Sequence, residues 1–128
     1  MPEPAASIKS HRDPKDFLPL KPDVFLILTL LAEEARHGYG IMQAAEDWAG
    51  GGMEIQAGAL YRRLRWMTEA GLIEEITSEN PSREGQDRRR RYRVTPFGRS
   101  VAREEARRMG DLLAAARETN LLSGIQGA

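Results

Sequence analysis

Apolar residues along the chain fall into stretches whose spacing separates four helices from two strands. From about Asp23 to Ala35 apolar side chains cover nearly every side, which predicts a central helix buried all round. "RHGYG" breaks it, with Gly38 free to take a conformation other residues resist. A more polar helix follows through Tyr39, Ile41, Met42, Ala45 and Trp48 and ends at the glycine triplet 50–52. After "MEIQ", the stretch "AGALYRRLRWMTEAG" places Leu60, Leu64 and Met67 at i, i+4 and i+7, the pattern of a helix with one face on a core. Arg62, Arg63 and Arg65 fall largely on its other faces, and Gly71 is a plausible C-cap.

"LIEEITSE" reads as a strand, "NPSREGQD" as a loop and "RRRYRV" as the returning strand of a hairpin. Tyr92 and Val94 share one face of that strand and are expected to pack on the core. Thr95 as N-cap and Pro96 at the first helical position open a last helix reaching to about Leu121. Phe97, Val101, Met109, Leu112, Leu113 and Ala116 make one apolar stripe along it.

The predicted fold is mainly α with a two-stranded β-hairpin, a winged helix-turn-helix followed by a long C-terminal helix. Residues 1–16, with three prolines and little apolar material, are expected to be a flexible arm. Residues 17–95 form the winged domain, 96–122 a dimerisation helix and 123–128 a flexible tail. Phe17 to Leu20 look able to dock, on a surface the sequence does not specify. The first three helices and the hairpin already close a unit, so the leftover amphipathic helix is expected to meet a second copy. The residues assigned to that contact are Val101, Met109, Leu112, Leu113 and Ala116.

Composition adds limits. With 128 residues the chain holds one domain, and 30% charged against 41% hydrophobic residues is ordinary for a folded protein. No cysteine is present, which removes disulfides, thiol catalysis and cysteine zinc sites. The longest apolar stretch, Val24 to Ala32, is far shorter than the ~20 residues of a membrane span, so no membrane and a cytoplasmic location are expected. No Ser/His/Asp set, metal cluster or phosphate-cradling loop suggests an enzyme, a cofactor or a bound metal; the glycine triplet lacks the lysine of a P-loop. His37 sits in a turn and is expected to help end the first helix.

Charge changes the picture locally. The chain has 19 Lys+Arg and 19 Asp+Glu, yet residues 83–93 carry six arginines against Glu84 and Asp87. The acids concentrate in "AEEA", "AEDW" and "EE". An arginine-bearing helix followed at once by an arginine-rich hairpin suits double-stranded DNA: the helix enters the major groove and the hairpin reaches backbone or minor groove. The DNA-contact candidates are Tyr39, Gln56, Tyr61, Arg62, Arg63, Arg65, Arg88, Arg89, Arg90 and Arg91. Each also has a plainer reading: a solvated charge run for the arginines, packing for the tyrosines, a solvent-facing amide for Gln56.

"HGYGI", "GALYRRLRWMTEAGLIEE" and "RRRRYRVTPFGR", in that order over roughly residues 20–100, resemble the PadR family of bacterial transcriptional regulators, in its shorter type with one C-terminal helix. The resemblance implies a homodimer on an inverted repeat, usually a repressor relieved by a small-molecule effector. Ala59 stands where the family pattern has a hydroxyl residue, Met67-Thr68 where it has Leu-Glu, and Arg91 where it has a tyrosine. Trp48 and Trp66 lie away from the C-terminal helix, so stacking of drugs between subunits by a tryptophan there is not expected. The alternative is a winged-helix module for protein–protein assembly without a DNA role.

Overall fold

The computed structural model describes residues 12–48, 54–76 and 90–124. Its centre is α1 (Pro22–Glu33), which buries Val24, Leu26, Ile27, Leu28, Leu30 and Leu31. The expected burial on every side is not met: Thr29, Ala32 and Glu33 are exposed and Phe25 half-buried along one face, so α1 turns that side away from the core. Pro22 sits in its first turn, where a missing N–H costs nothing. The helix has no basic residue in its last turn, and one arginine just beyond it and one remote arginine serve its carbonyl end instead. Arg36 donates from Nε to the Leu30 oxygen (3.2 Å) and Arg99 from Nη2 to the Ala32 oxygen (3.4 Å).

The helix stops short of Ala35 because the chain becomes extended and adds a strand. β1 (Arg36–His37) pairs antiparallel with β3 (Arg91–Val94), which also pairs with β2 (Ile73–Ile76), in the order β1-β3-β2. The expected hairpin strands are present, and a third strand joins them. In β3, Tyr92 and Val94 are buried and Arg93 is exposed, as the alternation predicts. The hairpin tip, with Arg88 and Arg89, lies outside the described residues.

α2 (Gly38–Asp47) and α3 (Ala57–Glu69) pack beside α1 through Ile41, Ala45, Leu60, Leu64 and Met67. The end of α2 at the glycine triplet falls outside the described residues. Gly71, at φ +82°, turns the chain out of α3 into β2, a conformation that favours glycine.

α4 (Pro96–Arg117) starts where Thr95 accepts from the Gly98 N–H (2.9 Å) and donates to the Gly71 oxygen (2.6 Å). A Cβ at Gly98 would collide with the Leu72 carbonyl, so this glycine lets the helix start lie against the strand entry. The helix ends at Arg117, earlier than Leu121, and residues 118–124 continue in turns.

The N-terminal segment corrects the expected arm. Residues 1–11 lie outside the described residues, but 12–16 belong to the folded body. Asp13 caps a 3-10 turn (Pro14–Phe17), and the Arg12 guanidinium lies over the Phe17 and Phe97 rings at 4.8 and 5.3 Å. Arg12 also donates to the Ala70 carbonyl at the end of α3, and Phe17 meets Phe97 edge-on at 5.5 Å. Leu20 then donates its N–H to Glu105 on α4 (3.0 Å). The segment therefore straps α3 to α4.

Candidate nucleic-acid interface

Successive residues on α3 step by about 100° around its axis, and this spacing sorts the arginines. With Leu60, Leu64 and Met67 turned inward, Arg62 and Arg65 face away from the core one turn apart. Both are exposed, and among the described residues neither has an ion-pair partner. Arg62 runs back along the helix, its Nη1 lying 3.7 Å from where a Gly58 Cβ would be. Gly58 thus leaves the start of α3 open beside a guanidinium, where the helix also presents unpaired N–H groups.

Tyr61, on the flank toward α2, is half exposed, and its hydroxyl lies against Gly38. A Cβ at Gly38 would strike that hydroxyl, so the glycine permits the close approach of the two helices. Tyr39 on α2 is 55% exposed and accepts a hydrogen bond from Gln43 Nε2 (3.2 Å). Gln56 occupies the N-cap position of α3 without using its side chain as a cap, leaving an exposed amide at the helix entry. Tyr39, Gln56, Tyr61, Arg62 and Arg65 thus form exposed edges of one helix pair.

Arg63 departs from this set. It lies on the opposite flank of α3, and its Nε donates to Asp23 Oδ2 on α1 at 2.8 Å. The geometry corrects its assignment: the side chain ties α3 to α1. Asp23 was missed because an acid in the first turn of a helix is ordinary and carries no sign of a distant partner.

The wing also differs from a bare arginine cluster. Arg90 Nε pairs with Glu75 Oε2 (3.0 Å) and Arg93 Nε with Glu74 Oε2 (2.7 Å). The acids of "EE" therefore stand beside the arginines, because the antiparallel register sets Glu74 opposite Arg93. Charge is less segregated than its distribution along the chain suggests. These are exposed pairs, worth about 0–1 kcal/mol each, and an incoming phosphate can displace them. Glu75 also adds to the effect of burial in raising the Tyr92 phenol above its ordinary pKa. Arg91 is half-buried, paired in register with His37 of β1.

On α4 the apolar stripe divides. Val101 is fully buried in the monomer's own core, which corrects its assignment to a subunit contact. Met109, Leu112 and Leu113 are exposed, and Ala116 is half-buried. Between the two parts sits Glu105, 1% exposed, which accepts from Leu20 N and is held by Arg108 through Nε (2.6 Å) and Nη2 (2.9 Å). The Arg108 hydrogen bond, opposed by burial and aided by Leu20 N–H, holds its carboxyl below the ordinary value. The eight-residue gap between Val101 and Met109 is the trace Glu105 leaves in the sequence. Among the described residues no group of three or more His, Asp or Glu is placed to hold a metal, and no helix is long and apolar enough to cross a membrane.

The model of a family described as "Transcriptional regulator PadR-like family" matches residues 27–104. No curated protein matches the chain. Among solved structures, a PadR family transcription regulator from Clostridium difficile R20291 superposes with a TM-score of 0.66 at 18% identity, covering 77% of this chain and 97% of that one. A transcriptional regulator from Clostridium thermocellum gives 0.64 at 21%, covering 76% and 88%. RosR of H. salinarum gives 0.55 at 28%, covering 80% of each chain.

Proposed function

The chain belongs to the PadR-like family of transcriptional regulators, and from that premise we propose a sequence-specific DNA-binding regulator that works as a homodimer on an inverted repeat. The observation that carries this reading is the outward face of α3, where Arg62 and Arg65 stand one turn apart with Tyr61 beside them and the wing arginine Arg90 follows in the same domain. Arg62 and Arg65 suit base edges or phosphate in the major groove, and Tyr39, Tyr61 and Gln56 suit the backbone on either side. Arg90 and Arg91, with Arg88 and Arg89, suit phosphate at the groove edge.

The exposed half of the α4 stripe (Met109, Leu112, Leu113) supports pairing with a second copy, Ala116 lying on the same stripe. Two recognition helices about 34–36 Å apart then meet successive major grooves. Repression, relieved by a small-molecule effector, is the mode we assign, in the cytoplasm and without catalysis.

The test is fluorescence anisotropy on DNA upstream of the protein's own gene, against a scrambled duplex, at several salt concentrations. Preferential binding to the upstream DNA that weakens steeply with salt supports the proposal. Absence of binding at low salt overturns it in favour of a protein–protein module.

A further inference from the structure

The strap that joins α3 to α4 lines a cavity of about 390 Å3 that stays open to solvent at Pro19, Lys21 and Trp66. Its apolar lining is Phe17, Pro19 and Leu20 of the strap, Val24 of α1 and Trp66 of α3. Lys21 and Arg63 complete it, and no carboxylate is among the lining residues. We propose that this cavity is a binding site for an organic anion with an apolar body, such as a medium-chain carboxylate, held between the strap and the recognition helix. Its strap residues precede residues 27–104 that match the family, whereas Arg63 and Trp66 lie within them.

Size, wall chemistry and charge agree on that ligand class. The volume falls within the roughly 300–1,000 Å3 of small-molecule pockets, and the lining is mainly apolar with a few polar groups, as in such pockets. Phe17 and Trp66 already touch at 6.5 Å between centroids, tilted by 57°, so the ligand body lies along the rings rather than between them. Arg63 already shares its charge with Asp23, and Lys21 has no ion-pair partner among the described residues, so the lining favours an anionic head over an amine. Arg63 uses only its Nε on Asp23, and Asp23 Oδ1 is buried without a hydrogen-bond partner among the described residues. The pair is thus single-bonded, and the guanidinium keeps N–H donors for a second anion.

Arg63 and Trp66 belong to the recognition helix, so occupancy bears on its seating against α1. An anion that draws Arg63 toward itself weakens the tie to Asp23 and lowers DNA affinity. That last consequence rests on the regulator reading above, whereas binding itself does not.

The experiment uses the full chain carrying Trp48→Phe, which leaves Trp66 as its one tryptophan, and titrates octanoate while following Trp66 emission. The expected result is a saturable change with octanoate and a response to octanol at least roughly tenfold weaker, because the alcohol lacks the charge. Lys21→Glu, at an exposed position, is expected to weaken octanoate by a similar factor while leaving octanol unchanged. No saturable change, equal response to acid and alcohol, or indifference to Lys21→Glu each overturns the site. Anisotropy on the upstream DNA is run in parallel. A saturating Trp66 titration with no DNA binding in any condition keeps the site and sinks the regulator reading; DNA binding with no Trp66 response does the reverse.

Discussion

Arg62 and Arg63 are neighbours in sequence, yet the structure gives them opposite surroundings. Arg62, with Arg65, projects from α3 with no ion-pair partner among the described residues, while Arg63 turns back to Asp23 on the central helix. The same division separates Arg108, which holds a buried carboxylate, from Arg90, whose partner is half exposed. A guanidinium that satisfies a buried acid contributes to the fold, because removing it strands that acid. One left in water keeps all its donors for a ligand, whereas Arg63 keeps only those that its Nε bond to Asp23 leaves. Position around the helix, rather than residue type, decides which service an arginine performs.

The sharpest break of this comparison is expected at the outward face. Arg62→Ala and Arg65→Ala are each predicted to cost about 1–3 kcal/mol of DNA binding where the side chain reads a base. The melting temperature should stay within a degree or so of the parent, since surface changes without partners are nearly neutral. Anisotropy and thermal unfolding on the same samples check both halves, and unchanged DNA affinity would reject the proposed face.

The buried acid held by Arg108 should show the opposite pattern. Glu105→Ala removes the acceptor for Leu20 N–H and loosens the strap, which still holds α4 through Phe97, at an expected cost of about 1–3 kcal/mol in stability by urea unfolding. Its depressed carboxyl pKa fixes the sign of the pH effect: the stabilisation is complete above the unfolded-state pKa and is lost as pH falls through the lower folded value. Below about pH 4.5 the parent should therefore lose stability faster than Glu105→Gln, which has no charge to titrate. Parallel acid dependence in the two proteins would refute the linkage.

Arg63→Ala comes next in size. It leaves Asp23, whose side chain is only 22% exposed, without its cation, so about 1–2 kcal/mol of stability is expected to go. Its DNA affinity, measured well below the melting temperature, should fall through the looser seating of α3 on α1, but by less than that of Arg62→Ala. A larger loss of DNA binding in Arg63→Ala than in Arg62→Ala would invert the comparison.

How much of this was legible in the sequence depends on whether the cause was local. The buried faces of α1 and α3, the cap at Thr95 and the strands of the wing follow from periodicity and turn chemistry, which act within a few residues. β1 was not legible, because two residues between helices have no period and their pairing is decided by a strand more than fifty positions away. The docking of residues 12–16 was hidden in the same way: Arg12 finds Phe97 and Ala70 only in the folded chain. The apolar spacing of α4 placed Met109, Leu112 and Leu113 on one stripe, but could not tell that Val101 belongs to the monomer core. The outward residues of α3 followed from angular position, whereas the fate of Arg63 depended on a carboxylate forty residues earlier.

The smallest expected effect tests whether the wing arginines sit between the two classes. Glu75 engages Arg90 in an exposed pair, and Glu74 engages Arg93 across the strands. Removing one such acid frees a cation and takes a negative charge from the surface a phosphate would approach. Glu75→Gln should thus tighten DNA binding by a few tenths to about 1 kcal/mol, the range of an exposed pair, and leave stability nearly unchanged. The gain should shrink as salt rises, because screening already weakens both the pair and the repulsion it replaces. Anisotropy titrations of Glu75→Gln and parent at low and high salt measure it. Weaker DNA binding in the variant would mean that Glu75 orients Arg90 for its phosphate, moving that arginine from the free class to the held one.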